Sequence, residues 1–301
     1  MNTEIMRVTL SFEGNDSDNH EINFYDVAEA LRGFQRSLAI TTHLVLNGEV
    51  ITKAPALKNA NIIALPPEEG SWKFIATIML TAQATYSVST APKETPLGHL
   101  AHSVYDYVIS EALGFHVDYD KSLGQQYEEM QKIEGDLTIP KVSVAQLDSA
   151  IEKSSTAIRD MHRPIVKSKT ANRAGIITNF GGTDKPLSQP LNEDTYSHIA
   201  FTQQRDYTEE VIGRISSFDS NTNRGRIFIP EEQRTIPFSL EDTAQSASDQ
   251  LLIVKSLHRN VKDRYDETGN IILTVFKNMS RTENLKFLTV LDIGELPHEH
   301  R

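Results

Sequence analysis

Apolar residues in the first part of the chain follow strand-like and then helix-like spacing. Apolar and polar positions alternate in RVTLSFEG, which is typical of a half-buried strand, and HEINF is a candidate returning strand. The segment YDVAEALRGFQRSLAITTHLVLNG has apolar residues at helical spacing, and Asp26 and Glu29 have the spacing of a capping box. Two further apolar runs flank the turn formers at 66–70 and predict a hairpin.

Two longer helices are predicted next. One runs from Pro96 to Gly114, and the other begins at Ser143, has Gln146 at capping-box spacing, and ends before Pro164. The order of strands and helices predicts an α+β domain over residues 1–170, in which helices pack on a small antiparallel sheet.

The periodic pattern weakens between residues 171 and 205. The segment NFGGTDKPLSQPLNEDT is rich in glycine, proline and other turn formers. A stretch of this length without periodicity is long for an internal loop. We interpret 171–205 as a linker or as an extended arm packed on a domain, with AGIIT and HIAFT as candidate short strands.

A second domain is predicted from five strand-like segments, at 210–218, 225–230, 234–240, 270–277 and 285–293. The apolar segment 250–258 fits a helix, but its β-branched residues also fit a strand, so the pattern leaves both open. Either choice predicts a C-terminal five-stranded small β-barrel over residues 206–295, of an OB-like or SH3-like type.

The first barrel segments, EVIGRISSFDSNTNRGRIFIP and TIPFSL, resemble the cold-shock type of OB-fold. The matching positions are Gly213, Ile215, Phe218, Asp219, Arg224, Gly225, Ile227, Phe228, Ile229 and Phe238. The resemblance implies a barrel that stacks single-stranded nucleic acid on exposed aromatic rings. Ser217 and Arg226 stand where the cold-shock pattern has aromatic residues, so the resemblance implies only part of that surface.

Candidate binding residues follow from the alternation in the second barrel strand. Ile227 and Ile229 share one face, whereas Arg226 and Phe228 share the other, where a ring can stack on a base and a guanidinium can stack or bind a phosphate. Phe238 is a second candidate for a stacking ring, and Arg224 is a further candidate for contact with nucleic acid or phosphate. The alternative is that these phenylalanines belong to the core of a barrel that contacts protein.

A basic segment is the other candidate ligand site. Residues 153–173 contain six Lys and Arg against one acidic residue, in a chain whose net charge is −11. Arg163, Lys167 and Lys169 follow the end of the predicted helix and could bind a phosphate, a nucleotide or an acidic partner. Alternatively, they pair with carboxylates of the protein itself or interact with the helix C-terminus.

Two sets of residues have spacing that suits a metal ion. His99, His102 and Asp106 share one face of a predicted helix, and His116, Asp118 and Asp120 occupy alternate positions in GFHVDYDKSLG. We favour a solvated polar face as the explanation of the first set and a capped loop as that of the second.

Composition narrows the class of protein. The 301 residues include no cysteine, which excludes disulfides and thiolate chemistry and fits a cytoplasmic location. The apolar run 74–92 is interrupted by polar residues and closed by a proline, so we predict buried segments and no membrane partner. Residues 206–301 contain 12 Lys and Arg against 16 Asp and Glu, which disfavours tight electrostatic binding of nucleic acid.

No nucleotide-binding or hydrolase motif is present, so we predict no cofactor and favour a binding role over an enzyme. The segments TPLGHLAHSVYDYVISEALGFHVDYDKSLG and DMHRPIVKSKTA resemble uncharacterised prokaryotic α+β proteins. The leading hypothesis is a non-enzymatic binding or adaptor protein that contacts single-stranded nucleic acid or a nucleotide. The alternatives are a structural subunit that forms a homo-oligomer or holds a partner protein, and a metal-dependent hydrolase.

Overall fold

A computed structural model describes residues 3–65, 72–81, 96–117, 123, 140–263, 267–280 and 283–296. The chain divides into two compact units, Met1–Ala200 and Phe201–Arg301. The architecture is α+β, as predicted, with an antiparallel five-stranded sheet and helices in the first unit and a closed five-stranded β-barrel in the second. None of the helices within these ranges is long and apolar enough to cross a membrane.

The sheet of the first unit has the order β2-β3-β1-β4-β5, and every neighbouring pair is antiparallel. Its strands are β1 (Thr3–Glu13), β2 (Ala60–Leu65), β3 (Lys73–Leu80), β4 (Arg173–Phe180) and β5 (Thr183–Pro186). The predicted alternation in β1 is present, because Val8, Leu10 and Phe12 are buried in the core between sheet and helices.

The helices of the first unit are α1 (Phe24–Asn47), α2 (Pro96–Ala112), α3 (Val144–Met161), α4 (Arg163–Val166) and α5 (Glu193–Ala200). The predicted capping box of Asp26 and Glu29 is wrong, because the Asn23 side chain accepts the Asp26 N–H and caps α1. HEINF therefore leads into the helix rather than forming a strand. The predicted capping box of Ser143 and Gln146 is present at the start of α3.

Residues 173–200 add two strands and a helix to the first unit. β4 pairs with β1 from Arg7 opposite Asn179 to Glu13 opposite Arg173, so it lies inside the sheet rather than in a linker. The turn formers between β4 and β5 include Gly181 at φ +61°, a backbone conformation that glycine adopts without steric cost. HIAFT contributes its first three residues to the end of α5 and does not form a strand.

The barrel of the second unit closes through five strands. These are β7 (Glu209–Asp219), β8 (Arg224–Ile229), β9 (Arg234–Leu240), β10 (Ile271–Met279) and β11 (Leu285–Glu295), and the two-residue β6 (Gln203–Gln204) pairs with β10. β7, β8 and β9 form consecutive antiparallel pairs, β9 runs parallel to β11, and β11 pairs with β10, which returns to β7.

The segment 250–258 is helical and lies within α6 (Ala247–Lys262), which connects β9 to β10. Ile253 of this helix is fully buried in the barrel core. The Ser256 hydroxyl accepts the Ile215 N–H at 2.9 Å and donates to the Gly269 carbonyl at 2.7 Å. A buried serine therefore connects α6 to the first barrel strand.

The two glycines beside the first barrel turn are explained by close contacts between strands. A Cβ on Gly213 would lie 2.3 Å from the Phe228 carbonyl oxygen, and one on Gly225 would lie 2.4 Å from the Ser217 carbonyl oxygen. Neither distance leaves room for a side chain, so both positions require glycine.

Candidate functional site

The outward surface of β7, β8 and β9 contains most of the candidate binding residues. Ile227 and Ile229 of β8 point into the barrel core, so the residues that alternate with them point outward. Each outward residue of β8 has one neighbour on β7 and one on β9. These nine residues, which we call the barrel face, are Arg214, Phe228 and Thr235, then Ser217, Arg226 and Pro237, then Asp219, Arg224 and Ser239.

Phe228 and Arg214 form the aromatic part of the barrel face. Phe228 is half-buried, and the central carbon of the Arg214 guanidinium lies 4.3 Å from the centre of its ring. This is a cation–π contact between two groups that both stack on nucleic-acid bases. Arg214 is not among the residues selected from the sequence, although the predicted hairpin of β7 and β8 puts it within reach of Phe228.

The two arginines of β8 differ in exposure. Arg226 shares the outward side with Phe228, as the alternation predicts, but it is only 4% exposed and its Nη1 donates to the Thr235 hydroxyl at 3.4 Å. Arg224 is exposed at the end of the strand, opposite Asp219. The Asn221 N–H donates to the Asp219 carboxylate at 2.9 Å and lowers the pKa of that group, so a negative charge lies beside Arg224.

Phe238 belongs to the barrel core and not to the barrel face. It is 1% exposed, and its ring is nearly parallel to that of Phe218, with centroids 6.2 Å apart and planes inclined by 9°. Ile236, Phe238 and Leu240 are the inward residues of β9. A base therefore has no access to the ring that the sequence analysis selected as a second stacking surface.

The basic segment lies in the first unit, and Arg163 there has a structural contact. Its Nε donates to Asp26 Oδ1 at 3.0 Å, its second nitrogen lies 2.9 Å from the same oxygen, and its guanidinium lies 5.1 Å from the Tyr25 ring centre. Asp26 is only 5% exposed. This pair joins α4 to the start of α1, so Arg163 is already neutralised by a carboxylate of the protein.

Lys167 and Lys169 are exposed. Lys169 has φ +55°, and its carbonyl accepts a hydrogen bond from the Asn15 amide at 2.8 Å. It lines an open pocket of about 520 Å³ together with Asn15, Ile165, Ala171, Asn172, Asn192, Glu193 and Asp194. Two carboxylates in this lining offset the lysine, so the pocket is not selective for anions.

The first predicted metal set consists of residues that have other partners. His102 Nδ1 lies 2.8 Å from the Thr178 hydroxyl, and burial lowers the pKa of this histidine. The Asp106 carboxylate accepts the Ser188 N–H at 2.8 Å and the Ser188 hydroxyl at 2.6 Å. The His99 and Phe180 rings form a T-shaped contact with their centroids 4.5 Å apart.

In the second set, His116 Nδ1 lies 3.0 Å from Glu111 Oε1, while Asp118 and Asp120 lie outside the residues that the structure describes. Among the described residues, no group of three or more His, Asp or Glu side chains is arranged to hold a metal ion.

His162 is a buried titratable residue that the sequence analysis did not select as a site. It is 0% exposed between α3 and α5, where Nδ1 lies 2.8 Å from the Ile158 carbonyl and Nε2 lies 3.0 Å from the Thr195 hydroxyl. The carbonyl only accepts hydrogen bonds, so Nδ1 carries the proton and the lone pair of Nε2 faces the threonine hydroxyl. Burial lowers the pKa of His162 to about 4, and the ring is neutral in the folded protein.

Comparison with known families divides the chain at the same place as the structure. The family model described as Domain of unknown function (DUF7946) matches residues 8–200, and the one described as Family of unknown function (DUF7947) matches residues 207–294. No curated protein and no solved structure matches the chain.

Proposed function

This chain belongs to the family described as Domain of unknown function (DUF7946), and we propose for it a non-enzymatic binding role. In this proposal, the C-terminal barrel contacts single-stranded nucleic acid or a nucleotide through the barrel face. The observation that carries the proposal is the Arg214–Phe228 pair, in which a guanidinium and a ring lie 4.3 Å apart on the outside of the barrel.

The strand order of the barrel supports an OB-type interpretation. Three consecutive antiparallel strands are followed by a helix and two more strands, and the last strand runs parallel to the third. OB-folds bind oligonucleotides on the face of their second and third strands. In this protein those strands are β8 and β9, which carry Phe228 and Thr235.

The proposed binding is weak, because the barrel face offers one aromatic ring. Stacking on a single ring contributes roughly 1–3 kcal/mol per base. Phosphate contacts add little, since residues 206–301 contain 12 cationic against 16 acidic side chains. We therefore expect Kd values roughly between micromolar and millimolar for a nucleotide or a short single strand.

Within the basic segment, the exposed Lys167 and Lys169 are the remaining candidates for phosphate contact in this proposal, since Arg163 is paired with Asp26. We also propose a cytoplasmic setting, which the absence of cysteine among the 301 residues supports.

The test is a titration of labelled single-stranded RNA and DNA with the full chain, followed by fluorescence anisotropy, with mononucleotides as competitors. Phe228→Ala and Arg214→Ala are the informative variants. Phe287→Ala is the matched control, because Phe287 is also half-buried but lies on β11, outside the barrel face.

We expect Phe228→Ala to raise Kd by roughly 5-fold to 150-fold, the equivalent of one lost stacking contact. The control should bind like the wild type. Binding that is unchanged in Phe228→Ala, or weakened to the same extent in Phe287→Ala, would contradict the proposal.

A further inference from the structure

The two edges of the sheet in the first unit differ in how they are protected against pairing with another strand. β5 has only four residues, and these include Asp184, Lys185 and Pro186. Charges, proline and short length are the features by which natural sheets block edge pairing. β2 has six residues, ANIIAL, with no charge and no proline. Its pairing with β3 is continuous, from Ala60 opposite Leu80 to Leu65 opposite Ile75, without a bulge.

The hydrogen bonds around β3 show which peptide groups of β2 point outward. The Thr81 N–H donates to the Asn59 carbonyl at 2.9 Å, so Asn59 directs its peptide groups toward β3. In an antiparallel ladder this direction alternates along the strand, so Ala60, Ile62 and Ala64 direct theirs away from β3. On the other side of β3, the Phe12 N–H donates to the Trp72 carbonyl at 3.2 Å, so the Trp72 carbonyl points toward β1. Because this direction alternates along the strand, the β3 residues opposite Asn61 and Ile63 direct their peptide groups toward β2, in agreement with the first hydrogen bond.

Apolar side chains lie on both faces of the sheet at this edge, and Asn61 is the one polar residue of β2. Ala60 is buried beneath the helices and Ile62 packs against the same core. On the opposite face, Ile63 is 45% exposed and Leu65 is 36% exposed. Within the described residues, β2 pairs with β3 and with no other strand. The outward peptide groups of β2 therefore form an uncharged edge with apolar side chains beside it.

We propose that β2 pairs antiparallel with β2 of a second copy of this chain, so that the two sheets become continuous across a twofold axis. A twofold axis perpendicular to the sheet keeps each residue on its own face, so exposed Ile63 and Leu65 of both copies meet on one side. β2 carries no charge, so pairing it with a second β2 brings no like charges together.

Pairing with a second copy also limits the assembly to two chains. The contact is isologous and uses each β2 once, so it closes on itself. The other edge, β5, carries charges and a proline and does not extend the sheet further. Edge pairing of one strand buries less area than a standard interface, so we expect a dimer that dissociates on dilution.

The test is light scattering after size-exclusion chromatography of the nuclease-treated full chain over a wide range of protein concentration. The wild type should move from 33.8 kDa toward twice that mass as concentration rises. Ala64→Pro removes an outward N–H while leaving the β2–β3 hydrogen bonds in place, and Ile63→Lys puts a lysine of each copy on the same face of the two paired strands. Both should raise the dimer dissociation constant by at least about tenfold.

Leu251→Lys is the matched control, because Leu251 is an apolar residue of similar exposure, 53% against 45% for Ile63, on α6 of the other unit. It should leave the dimer unchanged. A second measurement does not depend on variants: hydrogen exchange of residues 60–64 in the wild type should slow as protein concentration rises. A wild type that is monomeric throughout, a mass above that of two chains, a dimer that survives both edge variants, or equal loss in Leu251→Lys would each overturn the proposal.

Discussion

Protonation of His162 should destabilise the first unit in mildly acidic solution. The folded protein holds this ring neutral and lowers its pKa from 6.5 to about 4, so the unfolded chain binds the proton at a higher pH than the folded chain. The stability that this residue provides is complete above pH 6.5, declines as pH falls, and is lost near pH 4. The full difference in pKa corresponds to about 3 kcal/mol, of which about 2 kcal/mol is lost by about pH 5.

Equilibrium urea unfolding of the full chain, followed by circular dichroism between about pH 8 and pH 5, measures this loss. The reference is His162→Gln, which does not titrate but has an amide that can donate to the Ile158 carbonyl. Burial also lowers the pKa of His43 and His102, but both residues remain in wild type and variant. The stability advantage of the wild type should therefore shrink by about 2 kcal/mol between these pH values. An advantage that is independent of pH would refute the reasoning.

Two further predictions concern single positions, and both use urea unfolding of the full chain. Gly225→Ala should destabilise the barrel by about 1–3 kcal/mol, because its Cβ would lie 2.4 Å from a strand carbonyl. Gly294→Ala, whose Cβ would meet nothing within 4 Å, should be nearly neutral, and an equal loss there would contradict the steric explanation. Arg163→Ala should cost about 1–3 kcal/mol by leaving the buried Asp26 carboxylate unpaired. The exposed Lys167→Ala should change stability by less than about 0.5 kcal/mol, and similar values for the two variants would indicate that the ion pair is not structural.

The barrel was predictable from sequence because its signals are local. Alternation placed Ile227 and Ile229 inside and Phe228 outside, and the burial of these residues follows that pattern. The same rule applied to TIPFSL puts Ile236 and Phe238 inside, where the structure has them. Phe238 was selected as a stacking ring from the family resemblance, which gave the position of an aromatic residue but not the face of β9 on which it lies.

The first unit was harder to predict because its decisive contacts join distant parts of the chain. β4 begins at Arg173 and pairs with β1, opposite Glu13, and no local pattern connects these segments. Likewise, the positive charge of the basic segment is visible in the sequence, but the pairing of Arg163 with Asp26 is not. Local charge therefore overstated how much of that segment is available to a ligand.

A dimer joined through β2 would contain two barrel faces. In the proposed function, a barrel face with one ring, in a unit with a surplus of carboxylates, binds a single base weakly. If β2 joins two copies, a strand long enough to reach both barrels meets two such sites, and the second contact becomes intramolecular. That linkage raises affinity by roughly 10²-fold to 10⁴-fold without any new contact, whereas a mononucleotide gains nothing. Affinity should then rise steeply with strand length in the wild type and much less in Ala64→Pro, because only the paired chains offer one strand a second barrel face.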